Sequence, residues 1–143
     1  MSAYVEKQRP GMLGASVDEL IEAMASLLPE IDRKALVNNR FLAEHMRETD
    51  DEGLRHNGNG WTDDSMAFIA PWGFELDEIK VPVTLWQGSE DLMVPYGHGK
   101  WLASALPQDK LKAHLLEGEG HISVFVGHTE DMVNELVSMA KLR

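Results

Sequence analysis

Cysteine is absent from the 143 residues, which excludes a disulfide framework and any thiolate metal site. That absence fits a reducing cytoplasm. Basic residues are scarce: 13 Lys and Arg stand against 24 Asp and Glu, a formal net charge of −11. A field of that sign repels phosphate backbones and anionic lipid, so no nucleic acid and no membrane surface is expected as a partner. No stretch approaches the roughly 20 apolar residues of a membrane span, and the opening residues MSAYVEKQRPGMLGAS lack the apolar run of a signal peptide. Metal-ligand spacing is missing too. His45, His56 and His128 have no companion ligands. The acidic run Thr49-Asp50-Asp51-Glu52-Gly53 reads as a solvated turn, without the alternating oxygen ligands of a calcium loop. A metal site is therefore not expected.

What is present suits one globular domain, with 43% hydrophobic residues. Residues 1–15 show no period and read as an irregular lead-in. Ser16 and Glu19 form a capping-box signature, and Val17, Leu20, Ile21, Met24 and Leu28 follow at helical spacing up to Pro29. A second helix is expected over 30–48, stopped by the acidic run. Asn57-Gly58-Asn59-Gly60 marks a turn, and Thr62, Asp63 and Asp64 open a short helix that Pro71-Trp72-Gly73-Phe74 closes. The character then changes. Residues 81–87 read as a buried parallel strand with Pro82 near its start, 97–106 as a helix, 111–116 as a second strand and 129–142 as a last helix. Trp86 and Trp101 are expected in the core, and the eight methionines as gap-fillers. His98 and His114 are read as surface or partly packed residues. The organisation is thus a helical front, 1–75, and a strand-helix-strand-helix back, 76–143.

Two strands joined by a helix form a parallel crossover, which places both carboxyl ends on one edge of the sheet. Asp91 and His121 each follow a strand and belong on that edge. A carboxylate that accepts from one imidazole nitrogen fixes the tautomer and leaves the other nitrogen to take a proton.

The run Val81-Pro82-Val83-Thr84-Leu85-Trp86-Gln87-Gly88-Ser89-Glu90-Asp91 with Val94-Pro95, followed by Gly118-Glu119-Gly120-His121, resembles the C-terminal third of the α/β-hydrolase fold. The resemblance implies an α/β architecture with Asp91 as triad acid and His121 as triad base. It implies that the helical front is the cap inserted after the sixth strand. Trp61, Asp63-Asp64 and Pro71-Trp72-Gly73-Phe74 look like the return from cap to core in bacterial members, and Trp72 and Phe74 are candidates for lining an acyl pocket. The implied chemistry is hydrolysis of a small ester, amide or related molecule, with no cofactor.

One part of that pattern is missing. The family carries its nucleophile in a G-x-S-x-G turn between a strand and a helix, and no such motif occurs here. Gly14-Ala15-Ser16-Val17-Asp18 lacks the last glycine, and neither Ser89 nor Ser123 follows a strand into a helix through a tight glycine turn. The first six strands have no counterpart, so the chain is expected to begin inside the cap and to be inactive alone. Strand 81–87 would be internal in the complete fold. Its open edge is expected to associate with a second copy or with an N-terminal half. Two other readings stand beside this one: a non-catalytic interaction module that self-associates through the same edge, and a purely helical partner-binding domain in which the strand readings fail.

Overall fold

The computed structural model describes residues 2–141. The chain is mixed α/β: seven α-helices, a 3-10 turn at Leu76–Glu78 and a two-stranded parallel sheet among the described residues. Its contacts separate two compact units, Met1–Met24 with Leu36–Gly73, and Ala25–Ala35 with Phe74–Arg143. Residues 25–35, part of the helical front in sequence, group with the unit that holds the strands. The purely helical alternative is excluded by the sheet. No helix among the described residues is long and apolar enough to cross a membrane.

The first unit is helical throughout. Helix α1 occupies Ser2–Met12, where the sequence suggested an irregular lead-in, and it carries Pro10. Its support comes from distant contacts. The Arg9 side chain donates to the Leu54 carbonyl at 2.6 Å and the Arg55 carbonyl at 2.7 Å, satisfying the otherwise open end of α4 (Arg40–Leu54). Glu6 accepts from the Gly58 amide at 2.6 Å. Gly58 has to be glycine, because a Cβ there would lie 2.3 Å from Val5 Cγ1. Helix α2, Val17–Ala23, starts at the expected capping box, with both reciprocal bonds formed, but stops short of Leu28.

The single helix expected over 30–48 is two. Asn39 interrupts it at φ −113°, and its side chain caps α4 by accepting from the Leu42 amide at 3.1 Å. The break separates α3, Glu30–Asn38, from α4. Helix α4 then runs straight through the acidic segment to Leu54. Asp51, read as part of a stop, pairs with Arg47 one turn back at 2.5 Å and accepts from the Gly14 amide at 2.7 Å. Helix α5, Asn59–Ala67, begins inside the expected turn. The buried side chains of this unit are apolar: Val5, Val17, Leu20, Ile21, Leu36, Ala43 and Leu54.

In the second unit β1 (Val83–Gly88) lies parallel to β2 (Leu111–Leu116), in register from Val83↔Leu111 to Gly88↔Leu116. Helix α6, Tyr96–Ala105, connects them. The last helix, α7, spans His121–Lys141, starting eight residues before the expected point. Glu135 fastens it to the sheet. Its carboxylate accepts from Thr84 Oγ1 at 2.8 Å, from the Lys112 ammonium and, at 3.0 Å, faces His114 Nε2. His114 in turn stacks on Trp86, ring centroids 3.7 Å apart. Trp86 is half-buried as a result. Trp101, expected in the core, is 55% exposed. Its helix contacts the sheet, yet Gly99 is the buried residue of that helix.

The Lys112 hydrogen bond, the Thr84 hydrogen bond and the His114 charge together hold the Glu135 carboxyl below the usual carboxylate range, against the opposing effect of burial. A lowered folded-state pKa contributes stability that is complete above the ordinary carboxylate range and disappears as pH falls through the folded value. Urea unfolding followed on an acid titration is expected to show this component in the wild-type chain. Glu135→Gln is expected to flatten that part of the acid limb and to lower stability at neutral pH. An unchanged acid limb in the variant would refute the assignment.

Candidate active site

Parallel register fixes the first condition of the site. Gly88 and Leu116 are paired, so both strands end at the same level, and both following loops leave from one rim. The loops then clasp each other. Ser89 N–H donates to the Leu116 carbonyl at 2.8 Å, Glu90 N–H to the Glu119 carbonyl at 2.8 Å, and Gly118 N–H to Ser89 Oγ at 2.9 Å. Backbones come close enough that a Cβ on Gly88 would meet the Glu119 carbonyl oxygen at 2.1 Å. Gly118 turns the second loop at φ +77°, in the left-handed region.

On this rim Asp91 and His121 meet. Asp91 Oδ2 is 2.9 Å from His121 Nδ1. The carboxylate is 4% exposed at its side chain and has four donors. Its Oδ1 accepts from the Met93 amide at 2.9 Å and the Val94 amide at 2.8 Å, and its Oδ2 accepts from Gln87 Nε2 at 3.0 Å besides the imidazole. With its oxygens accepting from these donors, the carboxylate favours the His121 tautomer that carries its proton on Nδ1.

The other ring nitrogen, Nε2, has no hydrogen-bond partner among the described residues. The imidazole is 42% exposed and borders a cavity of about 290 Å³ lined also by Gln87, Asp91, Val94, Val124 and Phe125. A larger cavity of about 490 Å³ lies against Trp86, His114 and His128 and touches neither Asp91 nor His121. The smaller one is the candidate site, since it is bordered by both members of the Asp91–His121 pair.

His121 does not sit in a loop, as its place behind β2 suggested. It is the first residue of α7. The reason is Asp32, a wholly buried residue of the 25–35 segment. Its Oδ2 accepts from the His121 amide at 2.8 Å, and its Oδ1 accepts from the Ile122 amide at 2.9 Å and the Ser123 amide at 2.8 Å. The open donors of a helix start are thereby satisfied from outside the helix. In the sequence Asp32 is only an acid in the first turn of a helix, and nothing there points to the site. Gln87, the second functional residue that sequence reasoning missed, reads as a strand end.

The remaining candidates are placed as follows. Phe74, in the second unit, is 50% exposed and does not line the cavity beside His121. Trp72 belongs to the first unit and is 54% exposed. Ser123 Oγ is buried and accepts from the Gly120 amide at 2.8 Å. Ser89 Oγ is taken up by Gly118. Among the described residues no hydroxyl is bonded to His121, and no cluster of His, Asp or Glu is arranged to hold a metal.

Gln87 gives the site its most direct stability test. Its amide bonds both Asp91 and the Val94 carbonyl, the latter at 2.8 Å. Gln87→Met keeps the length and removes the donor, leaving a buried carboxylate one bond short. The expected loss is about 1.5–3 kcal/mol by urea denaturation. A change below about 0.5 kcal/mol, the range of an ordinary surface substitution, would show that the bond to Asp91 contributes nothing. No family model matches the chain, and no curated protein matches it either.

Proposed function

We propose that this chain is the acid- and base-bearing C-terminal part of an α/β-hydrolase, acting on a small ester, amide or related molecule. The observation that carries the reading is the oriented pair on the sheet rim: His121 Nδ1 bonded to a four-donor Asp91, with the imidazole bordering a cavity. In this reading Nε2 takes the proton of an attacking hydroxyl or water and later returns it to the leaving group, while Asp91 stabilises the imidazolium. The nucleophile comes from a segment other than the described residues. It would arrive through the open edge of β1.

A second reading, a non-catalytic interaction module, is favoured by a different observation. The sheet has only two strands, so each strand keeps one unpaired edge among the described residues. Such edges attract further strands.

Turnover of a chromogenic short-chain ester separates the two readings. The chain alone is expected to be inert. Mixed with an N-terminal hydrolase half that carries a G-x-S-x-G turn, it is expected to turn the ester over. His121→Ala should lower that rate by about 10²–10⁴-fold, the usual contribution of a positioned base. Association of the halves without turnover would favour the module, and turnover indifferent to His121→Ala would overturn the hydrolase reading.

A further inference from the structure

We propose that Asp32 is the positioning residue of His121: its buried carboxylate, holding three successive amides, fixes where α7 begins and so aims the imidazole at Asp91. The inference deepens the hydrolase reading and rests on it for its meaning, but its geometry stands by itself.

Three features of the structure carry it. The first is completeness: both oxygens of Asp32 are engaged, by the amides of His121, Ile122 and Ser123. One side chain thus sets the backbone of the three residues that begin the helix. The second is close fit. A Cβ on Gly120 would lie 2.4–2.5 Å from the Asp32 carboxyl atoms, so the residue before the histidine is the one that lets the carboxylate in. The third is remoteness. Asp32 lies 89 residues before His121, so the acceptor for these amides is not supplied by the sequence around the helix start. His121 itself is partly solvent-facing.

The placement also has an electrostatic consequence. His121 is at the N-terminal end of a 21-residue helix, the positive end of its dipole, which opposes a cation there. A base that accepts a proton becomes such a cation. The Asp32 carboxylate, bonded to the same amides that make that end positive, supplies the opposing charge. Asp91 does so from the ring side. Asp32 touches neither substrate nor the reacting nitrogen, so it acts through the backbone of His121 and not as a catalytic residue.

The test uses the full chain and needs no turnover. Two NMR signals are read: the downfield Nδ1 proton of His121, assigned by its loss in His121→Ala, and the exchange rates of the His121, Ile122 and Ser123 amides. First-turn helix amides ordinarily lack partners and exchange fast. In the wild-type chain these three are expected to be protected. Asp32→Asn is expected to raise their exchange at least about tenfold, the factor for losing one charge-assisted hydrogen bond, and to broaden or abolish the Nδ1 proton signal. Gly120→Ala, which displaces the carboxylate without changing any charge, should do the same. A folded Asp32→Asn chain that keeps the His121 Nδ1 proton sharp would overturn the proposal, even with altered amide exchange, because the role would then be structural only. Should neither variant fold, unprotected amides in the wild-type chain would still overturn it, and protection of all three would support it. Failure of the ester assay leaves these signals untouched, so the two readings fail separately.

Discussion

One carboxylate decides where the last helix starts. The spacing of Met132, Val133, Leu136, Val137 and Ala140 suggests a helix from about Thr129, yet the helix begins at His121, where Asp32 accepts from the first three amides. A helix start is a set of unpaired donors, and whichever acceptor reaches them sets the boundary. Here that acceptor is remote in sequence and buried in the fold. The consequence reaches the imidazole directly. A residue in a flexible post-strand loop would sample many orientations. The first residue of a held helix has fewer backbone orientations open to it, and here its Nδ1 lies 2.9 Å from Asp91 Oδ2.

The two units are built on different physics. Among the described residues the fully buried side chains of the first are apolar. In the second, glycines aside, the buried residues are Leu28, Leu106 and Val124 alongside Asp32, Gln87, Asp91 and Ser123. Burying a carboxylate is costly unless its lone pairs are bonded. Asp91 meets that demand with four donors and Asp32 with three. Such networks define geometry more than they add stability, since an apolar core of equal volume would often be as stable. A unit organised this way holds two loops and a helix end in fixed relation. That is what an oriented base requires, and apolar packing, being non-directional, does not provide it.

The contrast explains what could be read from the sequence. Strand β2 falls where the pattern places it, 111–116, and α6 begins one residue before the expected point. Both are marked by local signals, Pro107 after the helix and the alternation of Leu111, Ala113 and Leu115 in the strand. The capping box at Ser16 is local too, and it forms. The expectations that failed depended on contacts across the chain. Helix α1 is held by Arg9 and Glu6 against residues about fifty positions away. The acidic run inside α4 became helix because Arg47 and the Gly14 amide absorb Asp51. Trp101 was expected inside on hydrophobicity alone, whereas the close approach of α6 to β1 is made at Gly99, where a Cβ would meet Gln87 at 2.7 Å. At the site, Asp91 and His121 were legible because each has its own strand and glycine punctuation. Asp32 and Gln87, which orient them, were not, because their roles exist only once the chain is folded.

The sheet and the base are linked through the rim. Parallel strands are ordinarily covered on both faces, yet Val83, Thr84, Leu85 and Trp86 of β1 remain only partly buried, and its outer edge has no partner among the described residues. A strand added there in parallel would cover that edge and end on the rim where Asp91 and His121 stand. Whatever side chain followed such a strand would emerge beside the cavity faced by Nε2. An antiparallel addition would satisfy the same backbone groups but deliver its following loop to the opposite end. Under the proposed hydrolase reading, the direction of strand addition, more than its affinity, therefore separates a partner that would complete the site from one that would only protect an edge.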